Sequence, residues 1–304
     1  MGCERSVFGE MIKIMAGKPS SEDIKWFRGQ KPGVGLCTRK DVTFLEYQAL
    51  KEIPDVIHGF TTRLGGVSEG DQASMNLSFS QGDDPEAVRE NYRRISAAIG
   101  FSPEQIVCSK QTHTANVRIV TRQDAGNGVT KEQAFMDVDG MVTNEPGLVL
   151  AAFFADCVPV FLADPVQKSI GLVHAGWKGT VGQIARNAII LMQETYGTDP
   201  ANLIACIGPS ICPDCYEVEK DVLDRFRTVF PQSLWHHLYT RKKEPGKYQL
   251  DLWMANSLIL SSAGIPASSI YLPNLCTCCN PSFLFSHRAS AGKRGSMAAF
   301  LGLL

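Results

Sequence analysis

The 304-residue sequence has almost no net charge and lacks a long apolar run. Its formal net charge is −1, so no overall field favours nucleic acid, and we expect no nucleic-acid partner. The longest nearly apolar stretch, Leu148–Ala163, contains Asp156 and Pro159 and is too short to span a bilayer. The composition therefore predicts a globular protein with no membrane partner.

The ten cysteines lack the spacing of a disulfide framework, and we expect reduced thiols in a cytoplasmic protein. Cys212 and Cys215 form a Cys-x-x-Cys pair, which alone is a weak signal for zinc. A second pair would have to come from Cys276, Cys278 and Cys279, whose spacing looks poor for a zinc ribbon. Cys212 and Cys215 are therefore interpreted as structural.

Residues 1–45 are weakly patterned and are interpreted as a leader, with one domain over residues 46–304. Met1-Gly2-Cys3, with Ser6, fits the loose pattern of N-myristoylation. The alternative is a flexible leader that carries no lipid.

Strand and helix patterns alternate from Ile57 onward. The clearest helix begins after Asp84 at Pro85 and ends at Gly100. Strand candidates at 106–120 and at 148–173 follow each other closely, so we expect neighbours along the chain to pair. This pattern favours an α/β fold with mixed or antiparallel sheets and outer helices over a doubly wound parallel sheet.

Three residues with metal-binding or nucleophilic side chains fall at predicted strand ends. Cys157 lies in a short polar break between two apolar runs, His174 ends a third run, and His113 follows an earlier strand candidate. Two imidazoles and one thiolate with an open fourth position make a catalytic zinc site. In a metal-free alternative, Cys157 is a nucleophile, a histidine is its base, and Asp139 or Asp156 orients that base. Both readings need the thiolate, so the residues leave them open.

Cationic residues lie near glycines in two places. Arg63 precedes Gly65 at a predicted tight turn, a placement that suits phosphate or carboxylate, although a solvated loop arginine is the simpler reading. His58 nearby is interpreted as a structural histidine. Near the C-terminus, a cluster that is either an anion site or plain surface charge consists of His287, Arg288, Lys293 and Arg294.

Seven segments together resemble the laccase-domain family, once called multicopper polyphenol oxidases and now regarded as purine nucleoside phosphorylases. In chain order they are HGFTTRLGGVS, KQTHTANV, DVDGMVT, FFADCVPV, GLVHAGWKG, IGPSICPDCYEV and CTCCNPSFLFSHR. The resemblance runs from about His58 to the C-terminus. It implies a single-domain α/β/β/α sandwich, like the catalytic domain of cytotoxic necrotising factor toxins. It also implies a metal site of His113, Cys157 and His174, holding Zn²⁺ or, as an alternative, Cu²⁺.

The same resemblance implies an enzyme that phosphorolyses adenosine, inosine, guanosine and S-methyl-5′-thioadenosine, and that deaminates adenosine. Purine nucleosides and phosphate are then its partners, and we expect a monomer. Arg63, Lys178 and Arg288 are the phosphate candidates, and Asp139 or Asp156 protonates or hydrogen-bonds the purine.

One departure and two alternatives stay open. His287 stands where the family tends to have tyrosine before the arginine. A copper-dependent polyphenol oxidase fits poorly, because a multicopper site needs many histidines and this sequence has six. A non-catalytic protein that keeps the fold and binds partners through its metal is the other alternative.

Overall fold

Two six-stranded sheets and one three-stranded sheet form from the short apolar runs of the sequence. The structure, a computed structural model, describes residues 23–27, 33–242 and 244–304. Strands and helices are numbered along the chain. The first sheet contains β1 (Val34–Arg39), β2 (Val42–Tyr47), β3 (Val56–Thr61), β4 (Ile106–Val107), β7 (Val149–Phe154) and β15 (Met297–Leu303). The second contains β5 (Val117–Ile119), β6 (Gly140–Thr143), β8 (Val158–Asp164), β9 (Ser169–Ala175), β10 (Ile204–Ile207) and β14 (Ile270–Tyr271). The third contains β11 (Glu217–Glu219), β12 (Tyr239–Arg241) and β13 (Lys247–Leu250).

Both large sheets are mixed. The first has the order β1-β2-β3-β15-β7-β4 and the second β14-β10-β8-β9-β6-β5. The pairs β4/β7, β5/β6 and β10/β14 are parallel, and the other pairs are antiparallel. The β15 strand lies between β3 and β7 and pairs with both, so it joins the two halves of the first sheet.

The α-helices of the described residues are α1 (Gln48–Lys51), α2 (Pro85–Ile99), α3 (Trp177–Val181), α4 (Ile184–Tyr196), α5 (Lys220–Val229), α6 (Trp235–Leu238) and α7 (Leu252–Ser262). Three of the helices, α2, α4 and α7, pack on the outer faces of the two large sheets. The predicted limits of α2 are confirmed: the Asp84 carboxylate accepts from the N–H of Glu86, and Gly100 adopts a left-handed C-cap. Across the described residues, no helix combines the length and apolarity that crossing a membrane requires.

Three buried clusters define the layers. Phe60 and Phe154 of the first sheet meet Phe161 and Leu172 of the second in the cluster between the sheets. A second cluster packs the other face of the second sheet against α4 and α7, and a third packs the first sheet against α2. The order is helix, sheet, sheet, helix, and the predicted α/β fold with mixed sheets is confirmed.

The chain crosses from the first sheet to the second at two places. The β4 strand lies in the first sheet and β5 in the second, so residues 108–116 cross between them. The β7 strand lies in the first sheet and β8 in the second, so residues 155–157 make another crossing. The prediction that strands adjacent along the chain pair with each other is correct for β8 and β9. It is wrong for β4 and β5 and for β7 and β8, which lie in different sheets. The β7 and β8 strands are almost entirely buried on both faces, so apolar pattern alone does not show which sheet takes each strand.

Part of the predicted leader belongs to the first sheet. The β1 and β2 strands pair along their full length, and β2 adds to β3. Val34, Val42 and Phe44 are buried there. Residues 1–22 and 28–32, including the Met1-Gly2-Cys3 pattern, lie outside the described residues. The domain boundary at residue 45 stays a prediction.

His58 on β3 is a structural histidine, as the sequence indicates. Its Nε2 accepts a hydrogen bond from the backbone N–H of Tyr47 at 2.7 Å, which requires that nitrogen to be unprotonated. Burial lowers the pKa of His58 to about 4, from an ordinary value of 6.5. The Tyr47 hydroxyl donates to the carbonyl of Ile207 and so links the two sheets next to His58.

We predict that His58 makes the fold acid-sensitive. Its folded pKa lies below its unfolded pKa, so its contribution is complete above about pH 6.5 and is lost as pH falls towards 4. The full effect is on the order of 3 kcal/mol. Urea unfolding at about pH 7.5 and about pH 4.5 should show a smaller loss of stability in His58→Gln than in the wild type. His237→Gln, at an exposed position on α6, is the matched control. An identical pH dependence in His58→Gln and wild type contradicts the prediction.

Candidate metal centre

The two crossings between the sheets bring the three predicted ligands together. His113 lies on the 108–116 crossing, Cys157 on the 155–157 crossing, and His174 near the end of β9. Their ligand atoms all lie within 4.8 Å of one another. The two imidazole rings meet edge to face, with centroids 4.9 Å apart. The structure therefore assembles the candidate set that the sequence spreads over three segments.

A buried carboxylate orients both histidines. Asp139 Oδ1 lies 2.7 Å from Nδ1 of His174. The same carboxylate accepts backbone N–H bonds from Thr112, His113 and Thr114 at 2.9–3.0 Å. These bonds hold His113 at a φ of 66°, a left-handed conformation that few residues with a side chain adopt. With Nδ1 of His174 bound to Asp139, Nε2 is the ring nitrogen left for a metal.

Asp139 is a positioning residue in this geometry. Burial raises the pKa of its carboxyl, but the bonds from His174, Thr114 and Thr112 outweigh burial and lower the pKa to about 2. The side chain is fully covered and does not line the cavity described below. The predicted contact between Asp139 and a purine therefore finds no geometric support.

Cys157 lies in surroundings that favour its thiolate. Burial raises the pKa of Cys157, but the charge of His174 and a hydrogen bond from His113 lower it further than burial raises it. Burial lowers the pKa of His174, and attraction to Cys157 and Asp139 raises it overall. The thiolate that results is competent as a metal ligand or as a nucleophile.

Gly176 leaves room for the ligands. A Cβ atom at this position would lie 3.1 Å from Sγ of Cys157 and 3.1 Å from Cδ2 of His113. Any larger residue would therefore push two ligands apart. One thiolate and two imidazoles suit Zn²⁺, and the same donors accept Cu²⁺, so the residues fit a single transition-metal ion.

The three ligands lie on the wall of a cavity of about 700 Å³. That volume suits a small-molecule ligand. Phe79, Phe153 and Tyr216 contribute aromatic wall, and Arg288 and Arg294 contribute positive charge. The cavity thus combines a metal-binding set, flat apolar surfaces and two guanidinium groups.

Asp156 and Arg288 both line this cavity and are tied together. Oδ2 of Asp156 accepts from the backbone N–H of Arg288 at 2.7 Å, and Oδ1 accepts from the hydroxyl of Thr277 at 2.5 Å. The Arg288 guanidinium donates to the carbonyls of Cys215 and Glu217, each at 3.1 Å. Both residues are therefore held in place by segments distant in sequence.

Arg294 is a cavity residue that motif reasoning does not select. Its Nη1 donates to the carbonyl of Gly295 and to the hydroxyl of Ser296. Its Nε is buried and has no hydrogen-bond partner among the described residues. A buried N–H without a partner is unusual, and what makes Arg294 a candidate for ligand binding is its place in the cavity lining. The only sequence signal is its membership of the cationic C-terminal cluster.

The structure does not bring Arg63 or Lys178 to the cavity. The Arg63 guanidinium donates to the carbonyls of Ala73 and Pro281 and lies 4.7 Å from the Phe285 ring centroid. Lys178 is exposed on α3, with its ammonium 5.7 Å from the Trp177 ring centroid. Neither placement supports the phosphate role expected from their motifs.

A second group of thiols converges in the structure, and the judgement that the spacing of Cys276, Cys278 and Cys279 is poor for zinc is wrong. Cys212, Cys215, Cys276 and Cys279 place their sulfur atoms within 4.8 Å of one another. The interpretation treated the second set as poorly spaced. Cys276 and Cys279 are in fact separated by two residues and form a second Cys-x-x-Cys pair.

Comparison with known proteins gives consistent matches over most of the chain. The family model described as multi-copper polyphenol oxidoreductase laccase matches residues 57–304. The purine nucleoside phosphorylase YlmD of Geobacillus stearothermophilus is 42% identical over 247 residues, covering 81% of this chain and 89% of that protein. A purine nucleoside phosphorylase of Bacteroides thetaiotaomicron is 34% identical over 262 residues, covering 86% of this chain and 96% of that protein.

A solved structure supports the same likeness. The crystal structure of the Bacillus licheniformis hypothetical protein YfiH superposes with a TM-score of 0.83 at 35% identity. The match covers 88% of this chain and 99% of that chain. The mixed α/β architecture is thus shared with a protein whose sequence is clearly related.

We predict that Asp139 governs metal affinity through ring orientation. In Asp139→Asn the loop at 112–114 and the His174 ring lose their common anchor, and metal affinity should fall about tenfold to hundredfold. Competition with a chromogenic zinc chelator measures this. Asp137→Asn is the matched control, because Asp137 bonds the same loop through Thr112 and Asn116 and not His174. Equal losses in both variants would show that only loop stability matters.

Proposed function

The chain belongs to the multi-copper polyphenol oxidoreductase laccase family, and we propose that it is a metal-dependent purine nucleoside phosphorylase. One observation carries the proposal: the three metal ligands and two arginines face the same cavity, which is large enough for a nucleoside and phosphate. Relatives that bear the name purine nucleoside phosphorylase support it.

Phosphorolysis requires the protein to hold an anion next to a ribose. Phosphate attacks C1′ while the glycosidic bond to the purine breaks, and the sugar passes through a cationic state. Arg294 and Arg288 line the cavity and are therefore better placed to bind phosphate than Arg63 or Lys178. Phe153 and Tyr216 offer apolar surfaces to the base.

The other polar groups have supporting roles in this proposal. The Asp156 carboxylate, held by Thr277 and Arg288, places negative charge on the cavity wall near the cationic sugar. Asp139 keeps His174 and His113 oriented towards Cys157. A Zn²⁺ ion bound to these three ligands supplies Lewis-acid chemistry, and Cu²⁺ is the alternative metal.

The finer expectations belong to the same proposal. The substrates are adenosine, inosine, guanosine and S-methyl-5′-thioadenosine, and hydrolytic deamination of adenosine is a second activity. A cytoplasmic location, a monomeric state and the resemblance to the cytotoxic necrotising factor catalytic domain stay predictions, and none of them carries the assignment.

A second candidate function rests on the contact between His174 and Asp139. Cys157, His174 and Asp139 are aligned as nucleophile, base and orienting carboxylate, which suits a metal-free cysteine hydrolase. A polyphenol oxidase with several coppers is less well supported. The sequence has six histidines, and among the described residues only His113 and His174 belong to a group that could hold a metal.

We predict that purified protein converts adenosine to adenine only when phosphate is present. Base and inosine are followed by chromatography with phosphate, without phosphate, and after chelation of the metal. Loss of turnover on chelation and its return with Zn²⁺ support the proposal. Adenine release that needs neither phosphate nor metal would instead favour the cysteine hydrolase. Metal binding without turnover of any nucleoside would favour a non-catalytic protein.

We predict that Arg294→Gln raises the KM for phosphate about tenfold to hundredfold, because a charged hydrogen bond contributes about 1.5–3 kcal/mol. The KM for the nucleoside should change little, since the substitution leaves the aromatic wall intact. Lys178→Gln, a loss of charge outside the cavity, is the matched control. A rise in the nucleoside KM that equals the rise for phosphate would remove Arg294 from the phosphate site.

A further inference from the structure

Two Cys-x-x-Cys pairs meet because of the way their strands are arranged. The first pair, Cys212 and Cys215, follows β10, and the second, Cys276 and Cys279, follows β14. The β10 and β14 strands are parallel neighbours at the edge of the second sheet. The chain therefore leaves both strands in the same direction, and a further parallel bridge joins Ser210 to Cys276. Both pairs emerge side by side.

The four sulfur atoms have the separations of a tetrahedral shell. Sγ of Cys279 lies 4.0 Å from Sγ of Cys212 and 3.4 Å from Sγ of Cys215, and all four atoms lie within 4.8 Å of one another. Zn–S bonds of about 2.3 Å in a tetrahedron place sulfur atoms about 3.8 Å apart. Cys212 and Cys276 are fully buried, and the other two are partly buried.

The backbone around the thiols is also that of a ligand loop. Cys212 carries a tight turn, because its carbonyl accepts the N–H groups of Cys215 and Tyr216 at 3.1 and 3.0 Å. The backbone N–H of Cys212 donates to Sγ of Cys276 at 3.2 Å. An N–H donor stabilises a thiolate more than it stabilises a neutral thiol. Packing alone explains single buried cysteines, but it does not explain four sulfur atoms that converge.

We propose that Cys212, Cys215, Cys276 and Cys279 hold a structural Zn²⁺ ion, distinct from the His113, Cys157 and His174 centre. Four sulfur ligands close the coordination shell and leave no position for substrate. The ion joins the segment after β10 to the segment after β14. Cys278, which lies between two of the ligands in sequence, is not a member of the group.

The joined segments support the cavity wall. Thr277, between the ligands Cys276 and Cys279, donates to Asp156. The carbonyl of Cys215 accepts from Arg288, and Tyr216 lines the cavity. The ion thus holds the second-sheet edge against the crossing that carries Cys157. This proposal does not depend on the reaction that the cavity supports.

Metal content of the full-length protein tests the proposal. We expect the double variant His113→Ala/His174→Ala to retain one zinc ion per chain, and the wild type to hold one more. Zinc-edge X-ray absorption of the double variant should show a shell of sulfur alone. Absence of zinc from this variant, iron in its place, or a mass lower by two hydrogens from a disulfide would each overturn the proposal.

Cys279, a proposed ligand, and its sequence neighbour Cys278, which is not one, provide a matched pair of variants. In the same double-variant background, Cys279→Ser should lose the remaining zinc and lower the Tm by several degrees. Cys278→Ser should retain the zinc and leave the Tm unchanged. Equal zinc in the two variants overturns the ligand assignment. If Cys279→Ser does not fold, the sulfur-only absorption shell still decides the question. Loss of phosphorolysis changes none of these metal counts, so failure of the two proposals is distinguishable.

Discussion

The contact between Asp139 and His174 is the constraint on which the metal centre depends. A buried carboxylate is costly unless it is fully hydrogen-bonded, and Asp139 meets this condition with one ring nitrogen and three backbone N–H groups. The contact with Nδ1 orients the His174 ring, and the three backbone bonds shape the loop that carries His113. The third ligand, Cys157, is placed independently by the β8/β9 pairing, which sets Val158 opposite Ala175.

Much of the fold follows from local signals. The Asp84 cap, Pro85 and Gly100 define α2 in the sequence as clearly as in the structure. Sheet membership does not follow, because β7 and β8 are buried on both faces and carry no polar side to distinguish partners. The crossings at 108–116 and 155–157 are therefore visible only in three dimensions, although they carry two of the three ligands.

The candidate site, like the fold, could be predicted from the sequence only in part. His113, Cys157 and His174 were identifiable from residue chemistry and motif order, and the structure brings them together. Arg63 precedes glycines and has the right charge, yet it does not line the cavity, and its guanidinium donates to the carbonyls of Ala73 and Pro281. In the sequence Arg294 belongs to a cluster that is either an anion site or surface charge, and its place in the cavity lining distinguishes it. Charge and spacing thus indicate candidate cations, but only the fold shows which of them line the cavity.

The position of β15 has a consequence for biosynthesis. Among the strands that the structure describes, β1–β3 and the β7/β4 pair are joined in the first sheet only through residues 297–303, which are synthesised after the other described strands. Until then, β3 and β7 each present an unpaired edge, and the inner faces of both sheets lack a finished partner. Those edges therefore stay open to pairing with other chains until residues 297–303 have emerged, and a chain that stops before residue 297 holds an incomplete first sheet.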